Sequence, residues 1–263
     1  MKILSGISLL LIILVATTNL QAAGEFCGEL RPRGQYGPFD YSNASHRKEK
    51  LPIVERAHFS QGTRNLIEGG RTVSEYAYDW VGGDIDYTLR AFPNHYPALE
   101  AMAKIGLREK NVKVLHAQYN VECYFERAIR FKPSDGMVRM IYANYLLKLV
   151  GRRADAMEQY QIAAQILPEN ASINYNLGLL YLKEKNYEEA TEHAKKAYEL
   201  GFPLDGLRNN LMKIGKWDGK VNEEVLDEAT DNEEVLDETT ENEEVLDKTT
   251  KNVDEETDIE SQK

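Results

Sequence analysis

Apolar residues recur three and four positions apart from Asn94 to Ile214, in runs broken by Pro133, Gly151, Pro168, Pro203 and Gly215. That spacing predicts amphipathic helices separated by short turns. The first helix runs from Asn94, as N-cap, to Leu107, with Pro97 in its first turn. A long connector follows from Arg108 to Ala117, then a helix carrying Phe125 and Ala128. Two helical hairpins cover residues 137 to 204, and Leu204 to Ile214 reads as a short closing helix that stops at Gly215. Residues 24 to 92 are richer in Gly, aromatics and turns. There, Leu51 to Glu68 predicts one or two short helices ending at Gly69-Gly70, and Asp84 to Phe92 a further one capped by Asp84 or Asp86. The expected fold class is all-α.

The two ends of the chain follow other patterns. Met1-Lys2 precedes an almost wholly apolar run from Ile3 to Ala16, then Leu20-Gln21-Ala22-Ala23. A charged start, an apolar run and a small-residue exit are the layout of a secretory signal peptide, with cleavage after Ala22 or Ala23. The run is shorter than the ~20 residues that span a bilayer as a helix, although an uncleaved anchor is the alternative. The expected location is periplasmic or secreted, with no membrane span after cleavage. At the other end, Asn222-Glu223-Glu224-Val225-Leu226-Asp227-Glu228-Ala229-Thr230-Asp231 recurs from Asn232 and again from Asn242. Ten helical residues fall about 80° short of whole turns, so the Val-Leu pairs would spiral and form no stripe. The segment 218–263 is therefore expected to be disordered: a charged tether, a partner-binding tail or a solvated extension with no specific role.

Charge divides the chain in the same place. The net charge is −11, but Asp218 to Lys263 holds nineteen acidic residues against four lysines, a balance of −15 that leaves +4 for the rest. An acidic tail repels phosphate and the body has no dense basic stripe, so nucleic acid is excluded as a partner. Cys27 and Cys123 are the only cysteines. In an exported chain such a pair predicts a disulfide, with two buried thiols as the alternative. The expected organisation is 1–23 signal peptide, 24–92 N-terminal wrapping segment, 93–217 helical domain and 218–263 tail.

The hairpins repeat with a period of 34 residues. With Ala171 as position 1, Leu177, Gly178, Tyr181, Ala190, Ala194 and Ala197 fall at 7, 8, 11, 20, 24 and 27. With Met137 as position 1, Ala143, Asn144, Leu147, Ala156, Tyr160, Ala163 and Pro168 fall at 7, 8, 11, 20, 24, 27 and 32. This resembles the tetratricopeptide repeat, in which small residues let the two helices of a hairpin approach and large ones fill the space between hairpins. Asn144, Leu147 and Ala194 depart from that pattern. Phe125, Ala128 and Pro133 match the end of a degenerate earlier unit. The elements Cys27-Gly28, Tyr36-Gly37-Pro38-Phe39-Asp40-Tyr41 and Asp86-Tyr87-Thr88-Leu89-Arg90-Ala91-Phe92-Pro93-Asn94-His95 are similar to small exported bacterial proteins of the same type. The resemblance implies a short helical-hairpin solenoid that binds protein or peptide segments and carries no cofactor. It also implies which residues face the groove: Val138, Ile141, Tyr145, Lys148 and Leu149, then Ser172, Tyr175, Leu179, Leu182 and Lys183. Ile141 and Tyr145 stand where a terminal-carboxylate clamp would need Lys and Asn, which argues against that mode.

Two other readings remain. A stack this short cannot bury its faces alone, so the N-terminal segment could fill the groove and make a structural module. His58, Asp84, Asp86 and His95 are the right residue types for a metal-dependent enzyme, but their spacing fits no ligand motif. The preferred reading is a scaffold without enzymatic activity.

Overall fold

A computed structural model describes residues 27–31, 34–69 and 80–218. The signal-type segment and the acidic repeats, with what was expected of them, lie outside the described residues. Those described form an all-helical fold of eleven helices, with no strand among them. The short helices come first: α1 (Ala44–Glu49), α2 (Leu51–His58) and α3 (Gln61–Glu68). Then follow α4 (Val81–Ala91), α5 (Tyr96–Arg108) and α6 (Val121–Phe131). The hairpins are α7 (Gly136–Leu147) with α8 (Arg153–Ile166), and α9 (Ala171–Lys183) with α10 (Tyr187–Glu199); α11 (Gly206–Lys213) closes the set. Among the described residues no helix is long and apolar enough to cross a membrane.

Local chemistry explains most boundaries. Asn43, Ser60, Asp135, Asn170 and Asn186 each accept hydrogen bonds from backbone amides of the helix they precede. Gly151, Gly201 and Gly215 sit at φ of 79°, 83° and 66°, the left-handed conformation in which a chain leaves a helix. Two caps differ from expectation. His95, not Asn94, caps α5, its Nδ1 accepting from the Ala98 amide at 3.1 Å. Asp84 and Asp86 cap nothing, because α4 begins earlier, at Val81. Both residues instead reach other elements.

The 34-residue period is visible in the packing. Ala156, Ala163, Ala190, Ala194 and Ala197 are fully enclosed. A Cβ added to Gly178 would stand 2.6 Å from Leu207 Cδ2 and 3.3 Å from the Ala190 carbonyl oxygen, so α9 approaches both α10 and α11 closely. Asn144, where the pattern calls for a small residue, accepts the hydroxyl of buried Tyr160 across the α7–α8 hairpin. That bond satisfies a phenol that no water reaches.

Residues on both sides of position 93 share one core. Tyr41, Val54 and Phe59 belong to the same buried cluster as Leu99, Phe125, Tyr160 and Ile173. A second cluster, built from Tyr175, Phe202, Leu207 and Leu211, closes the C-terminal end. The N-terminal segment is held by polar contacts as well. Cys27 and Cys123 lie at bonding distance, with sulfurs 2.13 Å apart. Arg127 on α6 donates to the Cys27 and Glu29 carbonyls at 2.8 and 2.9 Å, and Arg130 to the Gly28 carbonyl at 2.9 Å. Further on, Asn94 accepts from the Tyr41 amide and donates to the carboxylates of Asp40 and Asp135. One buried amide thus joins the segment before α1 to the start of α7. Burial pushes the Asp40 carboxyl up, but its bonds from Lys132, Asn94 and Ser42 together outweigh that and hold it below the usual range.

His95 makes this region sensitive to acid. Its ring is enclosed by Tyr41, Phe59 and Phe92, and its Nε2 lies 3.1 Å from Glu55 Oε1, with Arg64 on the same carboxylate. Burial depresses its pKa from 6.5, against the opposing pull of Glu55. The folded state therefore keeps His95 neutral while the unfolded chain takes up a proton. Stability is fully present above pH ~6.5 and falls as the pH drops below it, by up to about 1.4 kcal/mol per unit for this one proton. Urea unfolding between pH 7.5 and 5.5 should show that slope, and His95→Asn, which can still cap the helix, should flatten it. Equal slopes in the two proteins would remove His95 as the cause.

Candidate functional site

The residues expected to line a groove lie on α7, with the turn after it, and on α9. The structure divides them by accessibility. Val138, Ile141, Tyr145 and Tyr175 are buried. Leu149, Ser172, Leu179 and Leu182 are half-buried, and Lys148 and Lys183 are exposed. The buried rings have internal partners. Tyr145 stacks on Phe125 of α6 at 5.6 Å between centroids, and Tyr175 on Phe202 at 4.0 Å. Tyr145 thus holds α7 against α6, and Tyr175 holds α9 against the segment that leads from α10 to α11. Burial raises the Tyr145 hydroxyl pKa, so it stays a neutral phenol. What solvent reaches is Leu149 in the turn after α7 and Leu179 and Leu182 on α9, with a lysine at the end of each helix. Around the turn after α7, Arg152 makes a forked pair with Glu122 at 2.9 and 3.1 Å, and Arg153 stands 3.7 Å from Glu184.

The residues considered for metal chemistry do not converge. His58 Nδ1 lies 2.8 Å from Asp84 Oδ1, with its ring stacked on Tyr87 at 4.0 Å. Asp86 is buried and accepts from Arg90 Nε at 2.8 Å, from the Tyr124 hydroxyl and from the Gln118 amide. His95 pairs with Glu55. No three His, Cys, Asp or Glu side chains group as metal ligands among the described residues. Each carboxylate here is engaged by a donor that fixes a helix or a loop.

A cleft of about 480 Å³ lies between α10 and the chain that follows α11. Tyr187, Thr191, Lys195, Lys216 and Asp218 line it, with Glu188 and Glu192. It exists because the chain after α11 folds back. Thr191 donates to the Lys216 carbonyl at 3.0 Å, and Lys195 pairs with Asp218 at 2.7 Å. The periodic pattern stops at Gly215, so nothing in it marks this return. The lining mixes both signs of charge, and its lysines already face Asp218 and the Tyr187 ring. It therefore favours neither anions nor cations. No protein-family model and no curated protein matches the chain.

Proposed function

We propose that this chain is an exported scaffold of tetratricopeptide type that binds a segment of another protein along α7 and α9. The observation that carries the reading is the division within the groove. Val138, Ile141, Tyr145 and Tyr175 are buried, while Leu149, Leu179 and Leu182 stay partly accessible and Lys148 and Lys183 are exposed. Accessible leucines over a packed base, with lysines at the helix ends, suit a peptide that offers apolar side chains and an acidic group. The apolar run from Ile3 to Ala16 and the paired cysteines support export.

The test is affinity capture from the native envelope by the full chain, read by mass spectrometry. Lys148→Glu with Lys183→Glu is expected to reduce capture severalfold while moving the unfolding midpoint by less than about 2 °C, since exposed substitutions cost little. Unchanged capture would reject the groove assignment. Alanine at Tyr145 or Tyr175 is a poor probe, because it removes internal aromatic packing.

The burial of those four residues also favours a second reading, a structural module whose groove is filled from within. In that case capture would survive the lysine reversals and be lost on altering exposed residues of α8 and α10.

A further inference from the structure

Three large apolar side chains are exposed to water at the start of α4 and on the loop after α5 that packs against it. Trp80 is 56% exposed, Val112 69% and Leu115 48%. The Trp80 ring lies on His116 at 4.4 Å with 17° between planes. A Cβ on Gly83 would meet Trp80 at 3.3 Å and His116 at 3.5 Å, so the pair rests directly on α4. Exposed Ile53 and Val150 occur singly, and Met212 and Ile214 form only a pair near the C-terminal cap. Single apolar residues on a surface are ordinary, but clusters mark contacts.

The loop that presents this cluster is firmly held. Val114 and Ala117 are buried beneath it. The Val121 amide donates to the Val112 carbonyl at 2.8 Å, and the Gln118 amide to Asp86 at 3.2 Å. Lys110 and His116 adopt φ of 51° and 62°, a left-handed conformation that non-glycine residues take at a cost. Leu115 is thus displayed by a shaped loop with a packed base. On the same loop Lys110 and Lys113 are exposed.

We infer that this surface is the docking site of the chain's own acidic repeats, residues 222–247. The argument is complementarity. Each repeat carries adjacent valine and leucine with glutamates before and an aspartate after: Glu223-Glu224-Val225-Leu226-Asp227, and again from Glu233 and from Glu243. The loop offers apolar Val112 and Leu115 beside two lysines, with Trp80 laid against its His116. The tail carries −15 and the rest of the chain +4, so long-range attraction has the same sign as the local match. Reach is sufficient. From Asp218 to the third Val-Leu pair the chain can extend by roughly 90 Å. The distance back across two packed hairpins is on the order of 20–30 Å, at ~10 Å per helix layer. A tether of that length keeps the repeats at a high local concentration, which favours the chain's own loop over another copy's. Three copies of one short motif raise occupancy further without any new contact. This surface is separate from the α7–α9 face and does not depend on the scaffold reading.

Photo-crosslinking in the purified full-length protein tests this directly. With Leu115→p-benzoylphenylalanine, or Val112→p-benzoylphenylalanine as a second position, irradiation should give a product of monomer size whose cross-link maps to residues 222–247. Its yield should fall severalfold in 0.5 M salt, where screening acts over only about 4 Å, and in Lys110→Glu with Lys113→Glu. Cross-links from both positions confined to other parts of the chain, or a dimer-sized product showing that a second copy is the occupant, would overturn the inference. So would a yield indifferent to the two lysines.

Discussion

Replacing Cys27 and Cys123 together by serine, or reducing the bond between them, is expected to lower stability by about 4–5 kcal/mol. The two cysteines are 96 residues apart in sequence, and the entropy removed from the unfolded chain grows with the length of the loop closed. For a folded body of this size such a loss corresponds to a drop of roughly 10–20 °C in the unfolding midpoint. A second effect acts in the same direction. Arg127 is only 1% exposed and donates to the Cys27 and Glu29 carbonyls, while its face packs over the Tyr119 ring at 4.7 Å. Burial already depresses its pKa. If residues 27–30 detach, the guanidinium loses two acceptors inside the protein. Circular dichroism melts with and without a phosphine reductant measure the combined effect, and the double serine variant separates it from other effects of the reductant. A midpoint that moves by less than about 2 °C would mean that the strap is held by packing alone.

The parts of this fold that could be read from the sequence are those whose causes are local. Small residues at 156, 163, 178, 190 and 197 announced two hairpins, and the helices stand where that period put them. Gly69 and Gly215 marked ends, and Leu207 and Leu211 of the closing helix pack as a cap should. What escaped depends on partners distant in sequence. Asp86 looked like a cap because a carboxylate near a helix start usually is one, yet its partners Gln118 and Tyr124 come from the far side of a connector. Asn94 was taken from its cap role by Tyr41, Asp40 and Asp135, and the neighbouring His95 took over the amide. The groove shows the same limit. The repeat resemblance assigns Tyr145 and Tyr175 to the groove, but only packing decides that Phe125 and Phe202 cover them. Leu115 and Val112 carried no signal at all, since a single apolar residue in a loop does not disclose its exposure.

The other large effect is expected at Asp86. Asp86→Ala should cost about 3–5 kcal/mol, the range for removing one partner of a buried charged pair. The carboxylate accepts from Arg90, from the Tyr124 hydroxyl and from the Gln118 amide, and Tyr124 is itself buried. Burial, followed by the charge of Asp86, raises the Tyr124 pKa well above its usual value, so the phenol keeps its proton and needs an acceptor. Alanine leaves that hydroxyl and the Arg90 guanidinium without it. Asp86→Asn preserves shape and one acceptor oxygen but gives up the charge, so it should cost less, about 1–2 kcal/mol. The two variants therefore distinguish loss of the ion pair from loss of the whole junction. The loop after α5 should respond as well, because the Gln118 amide is tied to the same oxygen as Tyr124. Native-state hydrogen exchange should show faster exchange at Gln118 and Tyr119 in Asp86→Asn, while the α9–α10 hairpin keeps its protection. If Asp86→Ala proves within about 1 kcal/mol of the parent protein in urea, the junction is not what holds the connector. The shaped display of Val112 and Leu115 would then have to rest on Val114 and Ala117 packed beneath the loop.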